Sequence, residues 1–271
     1  MRALVIVFAI LSAGAAFAET APLKRLTLRQ DVLGFEAVGR LEIGDKGYCT
    51  GVLIAPDLVL TAAHCLFDRR TGAAEDVGLI DFRAGLHDGT TIAESSVARA
   101  VTHPAYDPGH EGDISSIRHD VALLELAAPI PAATAAPFAV RRLRPGARAV
   151  SVVSFARGRD AAPSWQDGCE VIGRQQGLLA VDCDLSFGSS GAPVFDRTGG
   201  RPNIVAIISS GGMMGDRTVA LGMDLPGPIA DLQEALRTGR DVRVASGTPG
   251  VRARRIAPGT KSSGGARFVR P

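Results

Sequence analysis

The chain has no apolar run long enough to cross a bilayer. The best candidate, Leu4 to Phe17, is 14 residues long, where a spanning helix needs about 20. It has no C-x-x-C pair and no close pair of histidines, so its four cysteines and five histidines do not read as a zinc site, and no metal is expected. No repeat of fixed period runs through it. A strongly basic body, the electrostatic footprint of nucleic-acid binding, is also missing. The net charge is +2, but the stretch from Val242 to Pro271 has seven Lys or Arg and no acid, which leaves −5 for the rest (+2 − 7).

What is present is enough for one large domain or two small ones: 271 residues, 46% of them hydrophobic and 21% charged. Residues 1–18 read as a separable leader. Arg2 supplies a positive start, Leu4 to Phe17 an apolar core, and Ala16-Phe17-Ala18 a small-x-small cleavage site, so cleavage is expected before Glu19 and the mature protein is expected to be secreted or periplasmic. Export makes the cysteines readable as disulfides. Of the three possible pairings the sequence favours Cys49 with Cys65 and Cys169 with Cys183. Residues Cys169 to Cys183 have the form of a hairpin turning near Gln176, which sets those two cysteines opposite one another.

Residues 19–34 are polar, without a period, and read as an extended arm or a pro-segment. From Phe35 onward short apolar runs alternate with turn residues: Ala37 to Ile43, Gly51 to Ile54, Leu58 to Leu60, Val77 to Phe82, Val121 to Leu126. That rhythm suits antiparallel strands of a sandwich or barrel. An Ala/Pro-rich passage, Ala127 to Pro137, and an Arg-rich one, Arg141 to Arg148, separate two halves, read as 35–136 and 137–241; the arginines suit a solvated surface. In the second half Pro228 to Arg237 has Ile229, Leu232 and Leu236 on one helical face, with Gly239 to stop it. Residues 242–271, rich in Gly, Pro, Ser and Arg, read as a disordered basic tail able to touch anionic surfaces, a contact that salt would screen.

The chemistry gathers around Phe187-Gly188-Ser189-Ser190-Gly191-Ala192-Pro193. Glycines there let the backbone turn tightly enough for its amides to converge on a developing oxyanion. Such a stretch is also common in plain loops, so its context decides. A serine hydroxyl needs an imidazole to take its proton and a buried carboxylate to orient that imidazole. Thr61-Ala62-Ala63-His64-Cys65 and Asp120-Val121-Ala122-Leu123-Leu124 supply these upstream, although His119-Asp120 leaves open which polar residue faces inward.

With these segments in place, the chain resembles the chymotrypsin/trypsin-like serine peptidases, most closely the bacterial secreted branch related to glutamyl endopeptidases. T-A-A-H-C, sixteen residues after Cys49, is similar to the family's histidine-loop disulfide, and His103-Pro104-Ala105-Tyr106 to the H-P-x-Y stretch before its aspartate. Asp120 with Leu123-Leu124 resembles D-x-A-L-L, and G-S-S-G-A-P resembles G-D-S-G-G-P. The resemblance covers Ala37 to Arg237 and implies an all-β fold of two six-stranded antiparallel β-barrels with a short C-terminal helix. It implies His64 as general base, Asp120 as its orienter, Ser190 as nucleophile, and the amides of Gly188 and Ser190 as the oxyanion hole. The reaction would be hydrolysis of a protein or peptide substrate through an acyl-enzyme, without a cofactor.

Two departures bear on this. Ser189 stands where animal members have the aspartate that receives a new N-terminal amine, and no I-V-G-G start is present, so activation by that ion pair is not expected. Ala192 replaces the second glycine of the motif. In the family the residue six before the nucleophile lies at the base of the pocket for the substrate side chain, so the resemblance implies Asp184 there, with Ser209 and Gly211 on the wall, and cleavage after Arg or Lys; Asp184 as a mere cap beside Cys183 is the alternative. Ile208 stands where glutamate-specific relatives have a histidine. A catalytically silent, peptidase-like binding protein is the rival function.

Overall fold

The computed structural model describes residues 22–215 and 217–246, so the expected leader and most of the basic tail lie outside the described residues. After a two-residue strand β1 (Lys24–Arg25), six strands follow: β2 (Val38–Ile43), β3 (Gly47–Ala55), β4 (Leu58–Thr61), β5 (Ile80–Ala84), β6 (Ala93–Thr102) and β7 (Ala122–Leu126). One of them shows strict alternation. In β5, Ile80, Phe82 and Ala84 are buried while Asp81 and Arg83 between them are not, the period of a sheet with one face on a core. The order β6-β5-β2-β3-β4-β7 is closed by pairing of β6 with β7, giving an antiparallel barrel without an open edge. A short helix α1 (Ile114–His119) enters β7.

The second barrel takes β8 (Ala149–Ser154), β9 (Ser164–Gln175), β10 (Leu178–Val181), β11 (Pro193–Asp196), β12 (Asn203–Met214) and β13 (Arg217–Asp224), in the order β9-β10-β13-β12-β11-β8 closed by β8 with β9. The protein is therefore two closed six-stranded antiparallel β-barrels. The expected hairpin is β9 and β10. Its turn residues Gln176 and Gly177 both have positive φ, 52° and 81°, the handedness that matches strand twist. Cys169 and Cys183 are joined across it, and Cys49 is joined to Cys65.

Helix α2 (Pro226–Thr238) buries Ile229, Leu232, Ala235 and Leu236 and ends at left-handed Gly239. Strand β14 (Arg243–Val244) then pairs with β6. Residues 242–246 therefore do not belong to the disordered tail expected from residue 242, and its remainder, 247–271, lies outside the described residues. Val242 and Ala245 pack on the core, and the Ala245 amide donates to the Ala98 carbonyl at 2.9 Å. The arm is likewise built in: Leu26 and Val32 are buried, and β1 pairs with β9 of the second barrel. Phe35, Phe138 and Phe195 meet with centroids 4.7 to 6.5 Å apart, and Trp165 lies 5.9 Å from Phe35, joining arm, linker and second barrel. Among the described residues no helix is long and apolar enough to cross a membrane.

Candidate active site

Thr61 at the end of β4 is the register partner of Ala122 at the start of β7. Three residues beyond Thr61 and two before Ala122 stand His64 and Asp120, so the antiparallel ladder itself brings them together. Ala63–Leu66 forms a single 3-10 turn, and the Cys49–Cys65 disulfide ties that turn to β3. His64 Nδ1 lies 2.7 Å from Asp120 Oδ2, and the His64 amide donates to Oδ1 at 2.8 Å. The Ser209 hydroxyl from β12 donates to Oδ2 as well. Asp120, not His119, faces inward; His119 stacks on His103 instead, with centroids 4.7 Å apart.

Both members of the pair are buried, and burial alone would neutralise them. For Asp120 the burial penalty is outweighed by the His64 charge and by hydrogen bonds from the His64 ring, Ser209 and the His64 amide, which hold its pKa below the ordinary carboxylate value. For His64, burial is likewise outweighed by the charge and hydrogen bond of Asp120, which hold the imidazole above its ordinary 6.5. Each partner in its charged form thus stabilises the charged form of the other.

The Ser190 loop presents two amides by fixing the carbonyls that precede them. The Phe187 carbonyl accepts from the Arg157 amide at 2.7 Å, and the Ser189 carbonyl from the Ala192 amide at 3.0 Å. In a planar trans peptide the N–H points opposite its C=O, so the amides of Gly188 and Ser190 turn the other way. Among the hydrogen bonds of the described residues neither amide donates to anything, whereas those of Ser189 and Gly191 donate to Ser186 and Ile208. The shape demands glycine at both flanks. Gly188 and Gly191 have φ of 96° and 76°, and a Cβ would strike Tyr48 at 2.3 Å or Thr61 at 2.2 Å respectively. Ser189, in the place of the animal aspartate, is buried with its hydroxyl 3.4 Å from that of Ser154, so this position holds no charge awaiting a partner.

Thr50 on β3 is a residue that motif reading missed. Its hydroxyl donates to the Gly188 carbonyl at 2.8 Å and accepts from the Phe155 amide at 3.0 Å, while its own amide donates to the Ser190 carbonyl at 2.8 Å. One fully buried side chain of the first barrel thus holds the serine loop of the second. No local motif marks it, because the contact spans 138 residues.

Ser190 and His64 line one cavity of about 650 Å³ together with Tyr48, Phe187, Gly188 and the Cys49–Cys65 disulfide. The residues expected to form the substrate pocket are not on it. Asp184 is exposed and its amide donates to Gln166 Oε1 at 2.7 Å, so it stands beside the hairpin disulfide and not at an enclosed pocket floor. Ser209 spends its hydroxyl on Asp120, and Gly211 is exposed on β12. An acid in open water attracts a cation only weakly, so the expected preference for Arg or Lys has no support from this placement. Cys49, His64 and Cys65 bring potential metal ligands within 4.8 Å, but the two sulfurs are spent on each other, leaving no thiolate.

The model of the trypsin-like peptidase domain matches residues 49–207. Brachyurin of Leptuca pugilator is 28% identical over 167 residues, 59% of this chain and 68% of that protein. Trypsin of Phaedon cochleariae is 33% identical over 84 residues, 31% of this chain and 29% of that protein. Serine protease 56 of Mus musculus is 34% identical over 91 residues, 34% of this chain but 13% of that protein. The chain thus spans less than a third of the length of the last two relatives. A solved structure of a Glu endopeptidase in complex with MPD superposes with a TM-score of 0.65 at 17% identity, covering 82% of this chain and 98% of the other, and shows the shared fold.

Proposed function

The chain belongs to the trypsin-like peptidase domain family, and on that premise we propose that it is an exported serine endopeptidase. One observation supports this above the rest: His64, whose ring is bonded to the buried Asp120, lines one cleft with Gly188 and Ser190, whose amides donate to nothing among the hydrogen bonds of the described residues. In this reading Ser190 Oγ attacks the scissile carbonyl as His64 takes its proton, and Asp120 steadies the imidazolium. The oxyanion accepts hydrogen bonds from the Gly188 and Ser190 amides. His64 then protonates the leaving amine, and water, activated by the same imidazole, releases the acyl group from Ser190. No cofactor enters this chemistry. Export by the leader at residues 1–18 and contact of the basic tail with anionic surfaces belong to the same reading and rest on the sequence.

The test is covalent. A fluorophosphonate should label Ser190, identified by mass mapping, with hydrolysis of a peptide ester lost in parallel. Ser190→Ala and His64→Ala should each remove most of that activity, and the double variant little more, since the residues act as a unit. An unlabelled Ser190, or an S190A variant hydrolysing like the wild type, would leave the silent binding protein as the better account.

A further inference from the structure

The cavity at Ser190 has a composition of its own. It runs from the nucleophile along the β2–β3 hairpin, the segment after the His64 turn, and the loop around Arg157, and does not touch Asp184, Ser209 or Gly211. If the acyl side of a substrate follows the β12 flank, this opposite flank receives the residues after the cut.

Four cations line it. Lys46 is paired with Glu75 at 2.8 Å and Asp68 at 3.4 Å, and Arg69 with Glu111 at 2.7 Å. Arg70 and Arg157 are exposed and form no ion pair among those of the described residues. The acids that line the cavity are paired with other cations: Asp68 and Glu75 with Lys46, and Asp160 with Arg40 at 3.7 Å. Arg157 is held in place although it is exposed. Its guanidinium lies 4.4 Å from the centroid of the Phe187 ring, and its amide is bonded to the Phe187 carbonyl. Phe187 is itself more than half exposed and immediately precedes Gly188, whose amide is one of the two described above. A cation is therefore fixed against an aromatic ring three residues before Ser190, with its donors left unspent on carboxylates among the ion pairs of the described residues.

We propose that Arg157, with Arg70 on the same cavity, forms a subsite for an acidic side chain of the substrate on the leaving-group side of the cut. This rests on the peptidase reading, and it is distinct from any pocket at Asp184. A carboxylate entering here meets a planar, pre-positioned guanidinium and forms a charge-assisted hydrogen bond that its neutral isostere forms more weakly. The isosteric pair Glu and Gln isolates that contribution.

A peptide cleaved by the enzyme, found by library digestion, is resynthesised with Glu or Gln at each of the three positions after the cut. At one of them the Glu peptide should have the higher kcat/KM by about fivefold or more, a ratio that falls toward one in high salt. In Arg157→Glu the ratio should drop below one, and in Arg70→Glu it should shrink. A wild-type ratio near one at all three positions, or a ratio unchanged in both variants, overturns the proposal. Fluorescence anisotropy with Ser190→Ala reads binding without turnover: Glu-over-Gln preference lost on adding R157E supports the subsite, and equal affinities refute it. Failure of the peptidase reading alone would appear as this binding preference without cleavage.

Discussion

A buried carboxylate with no partner would take up a proton, and a buried imidazole would lose one. At residues 64 and 120 each supplies what the other lacks, and Ser209 adds a third donor to the carboxylate. The sign of the consequence for rate follows directly. The general base must be neutral, and the pair raises the His64 pKa, so activity falls as pH drops through a value above 6.5. The acid limb of kcat/KM should therefore lie above that of an ordinary histidine. In Asp120→Asn the charge is gone while burial remains, so the limb should move to lower pH even as kcat falls by about 10⁴. A limb that moved upward, or stayed where it was, would show that Asp120 does not set the imidazole.

At the scale of elements, what could be read from the sequence was what lies within one or two neighbouring strands. The turn at Gln176 and Gly177, the 3-10 turn bearing His64, the strand after Asp120 and the α2 stripe are all local patterns of turn residues and apolar spacing. Contacts made between distant segments left no such trace. Ser209 reaches Asp120 across 89 positions and Thr50 reaches Gly188 across 138, and neither residue type is unusual in a strand. The exposure of Asp184 was hidden for a related reason: counting back from the nucleophile fixes a place along the chain, but not whether that place is enclosed. Thr50 lets the role of β3 be tested. Thr50→Val keeps the shape but strands the Gly188 carbonyl and the Phe155 amide in the interior. That should cost about 2–4 kcal/mol in urea unfolding and lower kcat about tenfold as the serine loop loosens. Thr50→Ser retains the hydroxyl and should recover most of both. Recovery of stability without recovery of kcat would mean that Thr50 serves folding only.

Over the whole molecule the two ends of the described chain cross. The arm beginning at β1 lies on the second barrel, whereas β14, after α2, lies on β6 of the first. Each barrel is closed without these additions, so their effect falls on the relation between the barrels, and the cleft lies at that relation. The C-terminal crossing reaches the site most directly. Arg243 Nη1 donates to the Leu66 carbonyl at 3.1 Å, at the end of the turn that bears His64, and the guanidinium lies 5.0 Å from the centroid of the Phe67 ring, which lines the cavity. Removing residues 242–246 deletes that contact, the Ala245–Ala98 bond and the β14–β6 pairing. With each bond worth about 1 kcal/mol, the first two alone amount to about 2 kcal/mol, so Tm should fall by roughly 4–8 °C or more for a chain of this size. A chain ending at Ser246, by contrast, gives up only the segment with little apolar content, and should melt with the full-length protein. The two truncations separate the contributions. If ending the chain at Asp241 and ending it at Ser246 gave the same Tm and the same kcat/KM, β14 would be an ornament on the first barrel; a lower kcat/KM in the shorter chain alone would show the C-terminal crossing steadying the base.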